Sequence, residues 1–201
     1  MLTRLKQRIQ AVLAAEARSA RKIGLTPNGI TIIGVILAFL SAAAYATWQN
    51  RSLWLLLAML LLLFSGFCDA LDGAVARLYE KTTVFGGFLD SLLDRYADAV
   101  VYFGLVFGGL CDFYWGFAAT IGSLLVSYSR ARAEVAGIKM ESIGLAERAE
   151  RMLILVVASV VAFFWQPVNV MNVSIILLAV LSNLTVLQRG LYVYSKSKKN
   201  R

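Results

Sequence analysis

Residues 53–72 read LWLLLAMLLLLFSGFCDALD, an almost unbroken apolar run from Leu53 to Cys68 that ends on two aspartates, Asp69 and Asp72. A second run opens with Asp90 and Asp94 and continues to Gly109. If both are helices, Asp69 and Asp72 are i,i+3 neighbours, Asp90 and Asp94 are i,i+4 neighbours, and each pair shares one face. A carboxylate at membrane depth costs roughly 2.5–3.5 kcal/mol on insertion scales, so it needs a partner or a function. Arg77 and Arg95 lie close in sequence, but two guanidiniums do not neutralise four neighbouring carboxylates. Four acceptor-only groups converging from two helices make a site for hard divalent cations, which take oxygen ligands.

The rest of the chain sets this pair of helices in a membrane. Of its 201 residues, 59% are hydrophobic, and the mean hydropathy is +0.70. Apolar spans fall at residues 30–48, 53–78, 84–110, 113–135, 152–165 and 168–193, each compatible with a crossing of ~20 residues. The fifth is short and draws on residues from Ala146 onward. No period-2 alternation persists, which argues against strands. The expected fold is therefore an all-α integral membrane protein with six transmembrane helices, arranged as one domain. Residues 1–25 carry an N-terminal amphipathic interfacial helix, 26–195 the six-helix core and 196–201 a basic tail. In the first segment Leu2, Leu5, Ile9, Val12 and Leu13 recur at helical spacing against Arg4, Lys6 and Arg8, the pattern of a helix lying on the inner leaflet.

Charge sets the orientation. Arg4, Lys6, Arg8, Arg18, Arg21 and Lys22 precede the first span, Lys196, Lys198, Lys199 and Arg201 follow the last, and Lys81, Lys139 and Arg148 fall in loops on the same side. The opposite side carries only Arg51, so the positive-inside rule makes both termini and the carboxylates cytoplasmic in a multi-pass cell-membrane protein. A net charge of +8 then reads as affinity for anionic headgroups rather than for nucleic acid. Histidine is absent, so a general base must be a carboxylate, Lys, Tyr or Cys. Cys68 and Cys111 fall near opposite ends of their spans and are read as packing residues.

Written out, the acidic segment is Asp69-x-x-Asp72-Gly73-x-x-Ala76-Arg77, then eight residues, then Gly86-x-x-x-Asp90-x-x-x-Asp94. This resembles, position for position, the signature of the CDP-alcohol phosphotransferases. The resemblance implies a transferase that uses two divalent cations, Mg²⁺ or Mn²⁺, held by Asp69, Asp72, Asp90 and Asp94, with Asp94 also the catalytic base. It further implies a CDP-lipid site on Asn28, Thr31, Asp69, Gly73, Arg77 and Thr83. Thr83 reads equally well as the cap of the third span.

After the fourth span come Ser127 and Arg130, then Arg151 at the start of the fifth and Arg189 within the last. Three guanidiniums from three helices at one membrane level read as a phosphate pocket, since the guanidinium fork matches phosphate oxygens. They read also as inner-face arginines snorkelling to headgroups or pairing with Glu134, Glu147 and Glu150. Within the family, this pattern is similar to the branch that makes phosphatidylinositol phosphate or its archaeal counterpart, archaetidylinositol phosphate. There Ser127, Arg130, Arg151 and Arg189 fall where inositol phosphate binds. Two positions depart from that branch: Arg130 stands where Lys is common, and Ala149 where Pro is usual. Glycerol 3-phosphate is the alternative acceptor, and a cation channel or transporter the alternative of another class. A homodimer is also implied by the resemblance. Gly104-x-x-x-Gly108 offers a small-residue face either to that partner or to a helix of the same chain.

Overall fold

The structure, a computed structural model, describes residues 15–20, 24–140 and 143–199. The expected interfacial stripe of residues 2–13 lies outside the described residues. Residues 15–20 are helical, and Ala17 and Ala20 are buried in a cluster with Ile30, Leu71 and Val75.

Six long α-helices follow, and we number them α1 (Pro27–Ala46), α2 (Leu53–Leu78), α3 (Val84–Phe107), α4 (Phe113–Val135), α5 (Arg148–Phe164) and α6 (Pro167–Lys199). Their ends are written in the sequence. The Thr26 hydroxyl accepts from the Gly29 amide at 3.1 Å, and Pro27 occupies the first turn, where its missing N–H costs nothing. Thr83 does the same for α3 through the Gly86 amide at 2.9 Å, and Asp112 for α4 through Tyr114. The turn out of α2 puts Glu80 in the left-handed region at φ 51°, and the Lys81 amide donates back to Ala76. The Trp48 indole N–H donates to Gly108 O at 2.8 Å, tying the α1–α2 connection to the end of α3.

By their principal contacts the helices form a closed ring in the order α1, α2, α5, α6, α4, α3 and back to α1. The interior is apolar toward one end, where Leu55, Leu105, Leu155, Met171, Ile175 and Leu178 are buried. There the Tyr45 and Ser159 hydroxyls share a 2.6 Å hydrogen bond. The outer faces expose Ile36, Phe39, Leu57, Phe64, Phe103 and Phe107, a surface too apolar for water and suited to acyl chains. By length and composition α1, α2 and α6 qualify as membrane-crossing helices, and all described regular structure is helical. Of the other three, α5 is shorter, α3 is interrupted by Asp90, Asp94, Arg95 and Asp98, and α4 mixes its apolar residues with Tyr, Gly, Ser and Thr.

Gly104 and Gly108 face α1 of the same chain. A Cβ on Gly104 would stand 2.4 Å from the Ala42 carbonyl oxygen, and one on Gly108 2.3 Å from that of Tyr45. The small-residue face is therefore consumed inside the subunit and is not offered to a partner. Because the obstruction is backbone, it cannot be relieved by a rotamer change. Gly104→Ala and Gly108→Ala are expected each to cost about 1–3 kcal/mol of stability. Thermal unfolding in detergent would register this, and unchanged unfolding would contradict the packing.

Candidate active site

Three carboxylates meet where the C-terminal half of α2 faces the start of α3. One oxygen each of Asp69, Asp72 and Asp90 lies within 4.8 Å of the others. Asp72 is only 5% exposed, and the Thr31 hydroxyl of α1 donates to its Oδ2 at 2.5 Å. The other oxygen atoms are less well served. Asp90 Oδ1 is buried and has no hydrogen-bond partner among the described residues. Three acceptor-only groups at this separation, one with an orphaned buried oxygen, suit a hard divalent cation.

Asp94 stands one turn further along α3 and reaches this trio through an arginine. Arg148 Nη1 lies 2.8 Å from Asp94 Oδ1 and 2.8 Å from Asp69 Oδ2, and its Nε donates to Asp98 Oδ1 at 3.3 Å. The cation drawn into the cluster is thus Arg148, the first residue of α5, and not Arg77 or Arg95. Arg95 turns back along α3 to the Ser91 carbonyl.

Two cavities flank the carboxylates. The first, of about 190 Å³, is lined by Asn28 and Thr31 of α1, Asp72, Gly73 and Arg77 of α2, and Thr83 with Asp90 across from them. All the expected nucleotide-lipid residues line it except Asp69, which lies on the opposite side of the cluster. The glycines explain its shape. A Cβ at Gly86 would meet Thr83 Oγ1 at 2.9 Å and Asn28 Oδ1 at 3.1 Å, and one at Gly73 would meet Arg77 Nη1 at 3.1 Å. Gly86 therefore lets Asn28 and Thr83 approach one another, and Gly73 lets Arg77 fold against α2.

The second cavity, of about 310 Å³, is lined by Asp69, Asp94 and Asp98 together with Ser127, Arg130, Arg151 and Arg189. The four residues expected at an anion are thus brought together. Their partners differ. Arg130 is half exposed and bonded to Glu134 at 2.9 Å. Arg189 is 1% exposed; Nε donates to Ile143 O at 2.8 Å, Nη1 to Val126 O at 2.5 Å, and Nη2 reaches Glu147 at 3.4 Å. Arg151 is also buried, bonded to Asp98 at 2.7 Å and to Ala146 O at 3.1 Å, while its Nε has no partner among the described residues.

Asp98 and Arg148 were not among the residues expected at the site. Asp98 holds both Arg148 and Arg151 and accepts from Ser123 of α4 at 3.0 Å. The signal was present: Asp90, Asp94 and Asp98 recur every four residues on one face of α3.

A third, apolar groove of about 560 Å³ runs between α2 and α5, from Leu62, Phe64 and Val156 up to Asp69 and Ala149. It opens directly beside the carboxylates.

Comparison with known proteins identifies the family. The model of the CDP-alcohol phosphatidyltransferase family matches residues 24–187. An archaetidylinositol phosphate synthase of Pyrococcus horikoshii is 39% identical over 199 residues, covering 99% of this chain and 98% of the relative. The Methanothermobacter thermautotrophicus protein of the same name is 41% identical over 179 residues, covering 89% and 88%. Phosphatidylinositol phosphate synthase of Mycobacterium tuberculosis, solved with CDP-DAG bound, is similar with a TM-score of 0.75 at 31% identity, over 92% of this chain and 94% of that one. The same enzyme in complex with manganese and citrate gives a TM-score of 0.77 at 30% identity, over 90% and 88%. With the family model covering most of its length and relatives matching nearly end to end, the chain belongs to the CDP-alcohol phosphatidyltransferase family.

Proposed function

We propose that this membrane transferase moves the lipid-linked phosphoryl group of a CDP-lipid onto a hydroxyl of inositol phosphate and releases CMP. The observation that carries the reading is the placement of the carboxylate cluster between two cavities, one beside Arg77 and Thr83 and one walled by arginines. The smaller cavity suits the nucleotide-lipid headgroup, with Asn28, Thr31, Gly73, Arg77 and Thr83 around it. The larger suits the acceptor, its phosphate facing Ser127, Arg130, Arg151 and Arg189. The apolar groove beside Asp69 leaves the lipid chains in a hydrocarbon environment while the headgroup reacts in water.

In this reading the acceptor hydroxyl oxygen attacks the lipid-linked phosphorus, the bond from that phosphorus to the CMP oxygen breaks, and Asp94 takes the hydroxyl proton. Asp69, Asp72 and Asp90, with Asp94 contributing, would hold two divalent cations, Mg²⁺ or Mn²⁺. When bound, these supply Lewis-acid polarisation of the phosphoryl oxygens and charge stabilisation for departing CMP. Thr31 fixes the Asp72 carboxylate, and Arg151 fixes the acceptor phosphate. The names of the relatives at 39% and 41% identity support an archaetidyl rather than a phosphatidyl donor.

The proposed setting is a single six-span domain with both termini and the site cytoplasmic, and the assembly is a homodimer that does not use Gly104 and Gly108. Residue-specific cross-linking in lipid tests the dimer, and a monomer throughout would exclude it. Product identification with CDP-archaeol and CDP-diacylglycerol against a panel of acceptors tests the reaction. Inositol phosphate should be used and free inositol should be poor, because the arginines would keep their charge without an anion. Preference for glycerol 3-phosphate would replace the acceptor, and equal use of free inositol would remove the phosphate pocket.

A further inference from the structure

Arg148 stands where the two halves of the site compete for one cation. Its guanidinium touches carboxylates of α2 and α3 at once, 2.8 Å from Asp69 and 2.8 Å from Asp94. The two ends of the side chain are held differently. Nε donates a hydrogen bond to Asp98, whereas Nη1 is buried with no hydrogen-bond partner despite its two close carboxylates. The distal end is therefore held by charge without directed hydrogen bonds, and the proximal end is anchored. Because Arg148 opens α5 and follows the loop into it, its distal end has the larger cavity beside it.

Charge counting sharpens the point. Asp69, Asp72, Asp90, Asp94 and Asp98 surround this centre, and Arg148 and Arg151 are the guanidiniums paired into it. One divalent cation leaves the group slightly negative. A second makes it positive unless an anion enters. A divalent cation drawn to the same carboxylates as the guanidinium would repel it.

We propose, on the basis of the reaction proposed above, that Arg148 is a resident counter-cation. It competes with one of the two divalent cations for Asp69 and Asp94, and yields those carboxylates when the acceptor phosphate draws its distal end into the arginine-walled cavity. Binding of the second cation and binding of the acceptor are then coupled, each favouring the other through the position of one side chain. Asp98 is the pivot that keeps the guanidinium within reach of both.

The test is Mn²⁺ binding to the full chain in nanodiscs without CDP-lipid, followed by the EPR signal of free Mn²⁺. Wild type should bind in a tight and a weak step, and Arg148→Gln should tighten the weak step by about tenfold, a usual size for coupled sites. Inositol 1-phosphate should tighten that step in wild type and leave Arg148→Gln unchanged. Equal or weaker Mn²⁺ binding in Arg148→Gln would overturn the proposal, as would an equal effect of inositol 1-phosphate on both proteins. Asp72→Asn serves as the control for the reading beneath it. If it binds Mn²⁺ as wild type does, the carboxylate centre is not the metal site and both ideas fail. Should Arg148→Gln not fold, Arg148→Lys carries the test, because a compact ammonium cannot span Asp69, Asp94 and Asp98 together. Its weak step should also tighten, and an unchanged step would overturn the proposal.

Discussion

Asp72→Asn and Asp90→Asn are expected each to lower turnover on the order of a thousandfold, the rate equivalent of the several kcal/mol that a metal centre contributes. The substitution is nearly isosteric, so the loss is electrostatic rather than steric. At Asp72 the Thr31 hydroxyl still finds an amide oxygen to donate to, and at Asp90 the orphaned Oδ1 has no bond to lose. The fold should therefore survive. Three carboxylates within 4.8 Å repel one another when no cation neutralises them, so removing one charge relieves the metal-free protein. Unfolding in excess chelator should accordingly occur at the same or a higher temperature in both variants, while activity in saturating Mg²⁺ or Mn²⁺ is lost. Asp69→Asn is a less clean probe, because it also strips a partner from Arg148. Full activity of the wild type in excess chelator would overturn the metal assignment. A large fall in stability of Asp90→Asn would show a structural carboxylate instead.

The helices were legible because lipid-facing helices advertise themselves as apolar runs, and the caps at Thr26 and Thr83 stand where the runs begin. The fifth was the least legible. It starts at Arg148, not at an apolar residue, because Arg148 and Arg151 are paired with Asp69, Asp94 and Asp98, fifty or more positions earlier in the chain. A local pattern cannot register that compensation. The four signature aspartates and the residues around the smaller cavity were readable from spacing and resemblance. Asp98 lies one turn beyond the last signature position, on the same four-residue period as Asp90 and Asp94. The glycines of α3 illustrate the other limit. Sequence marks a face that admits close approach, but only the ring order of helices decides that α1 takes it.

The acceptor arginines are expected to differ in strength according to what already occupies their donors. Arg151→Lys keeps the charge but loses the planar fork of a side chain that lines the larger cavity. Losing one charge-assisted hydrogen bond of about 1.5–3 kcal/mol should raise the KM for inositol phosphate roughly 10- to 150-fold. The KM for the CDP-lipid should change little, since that headgroup is proposed to lie on the far side of the carboxylates. Arg130, half exposed and paired with Glu134 at 2.9 Å, should give a smaller effect, because a partner and solvent already compete for it. Arg189 is the opposite case. Val126 O, Ile143 O and Glu147 all rely on it, so Arg189→Ala should lower stability together with acceptor affinity. Steady-state kinetics with each substrate varied in turn, alongside thermal unfolding, separate these roles. An Arg151→Lys enzyme whose two KM values rise in parallel would mean that Arg151 shapes the whole site through Asp98 rather than meeting the acceptor phosphate. If instead Arg130 alone moved the acceptor KM, the phosphate would sit at the mouth of the cavity, away from the buried pair of Asp98 and Arg151.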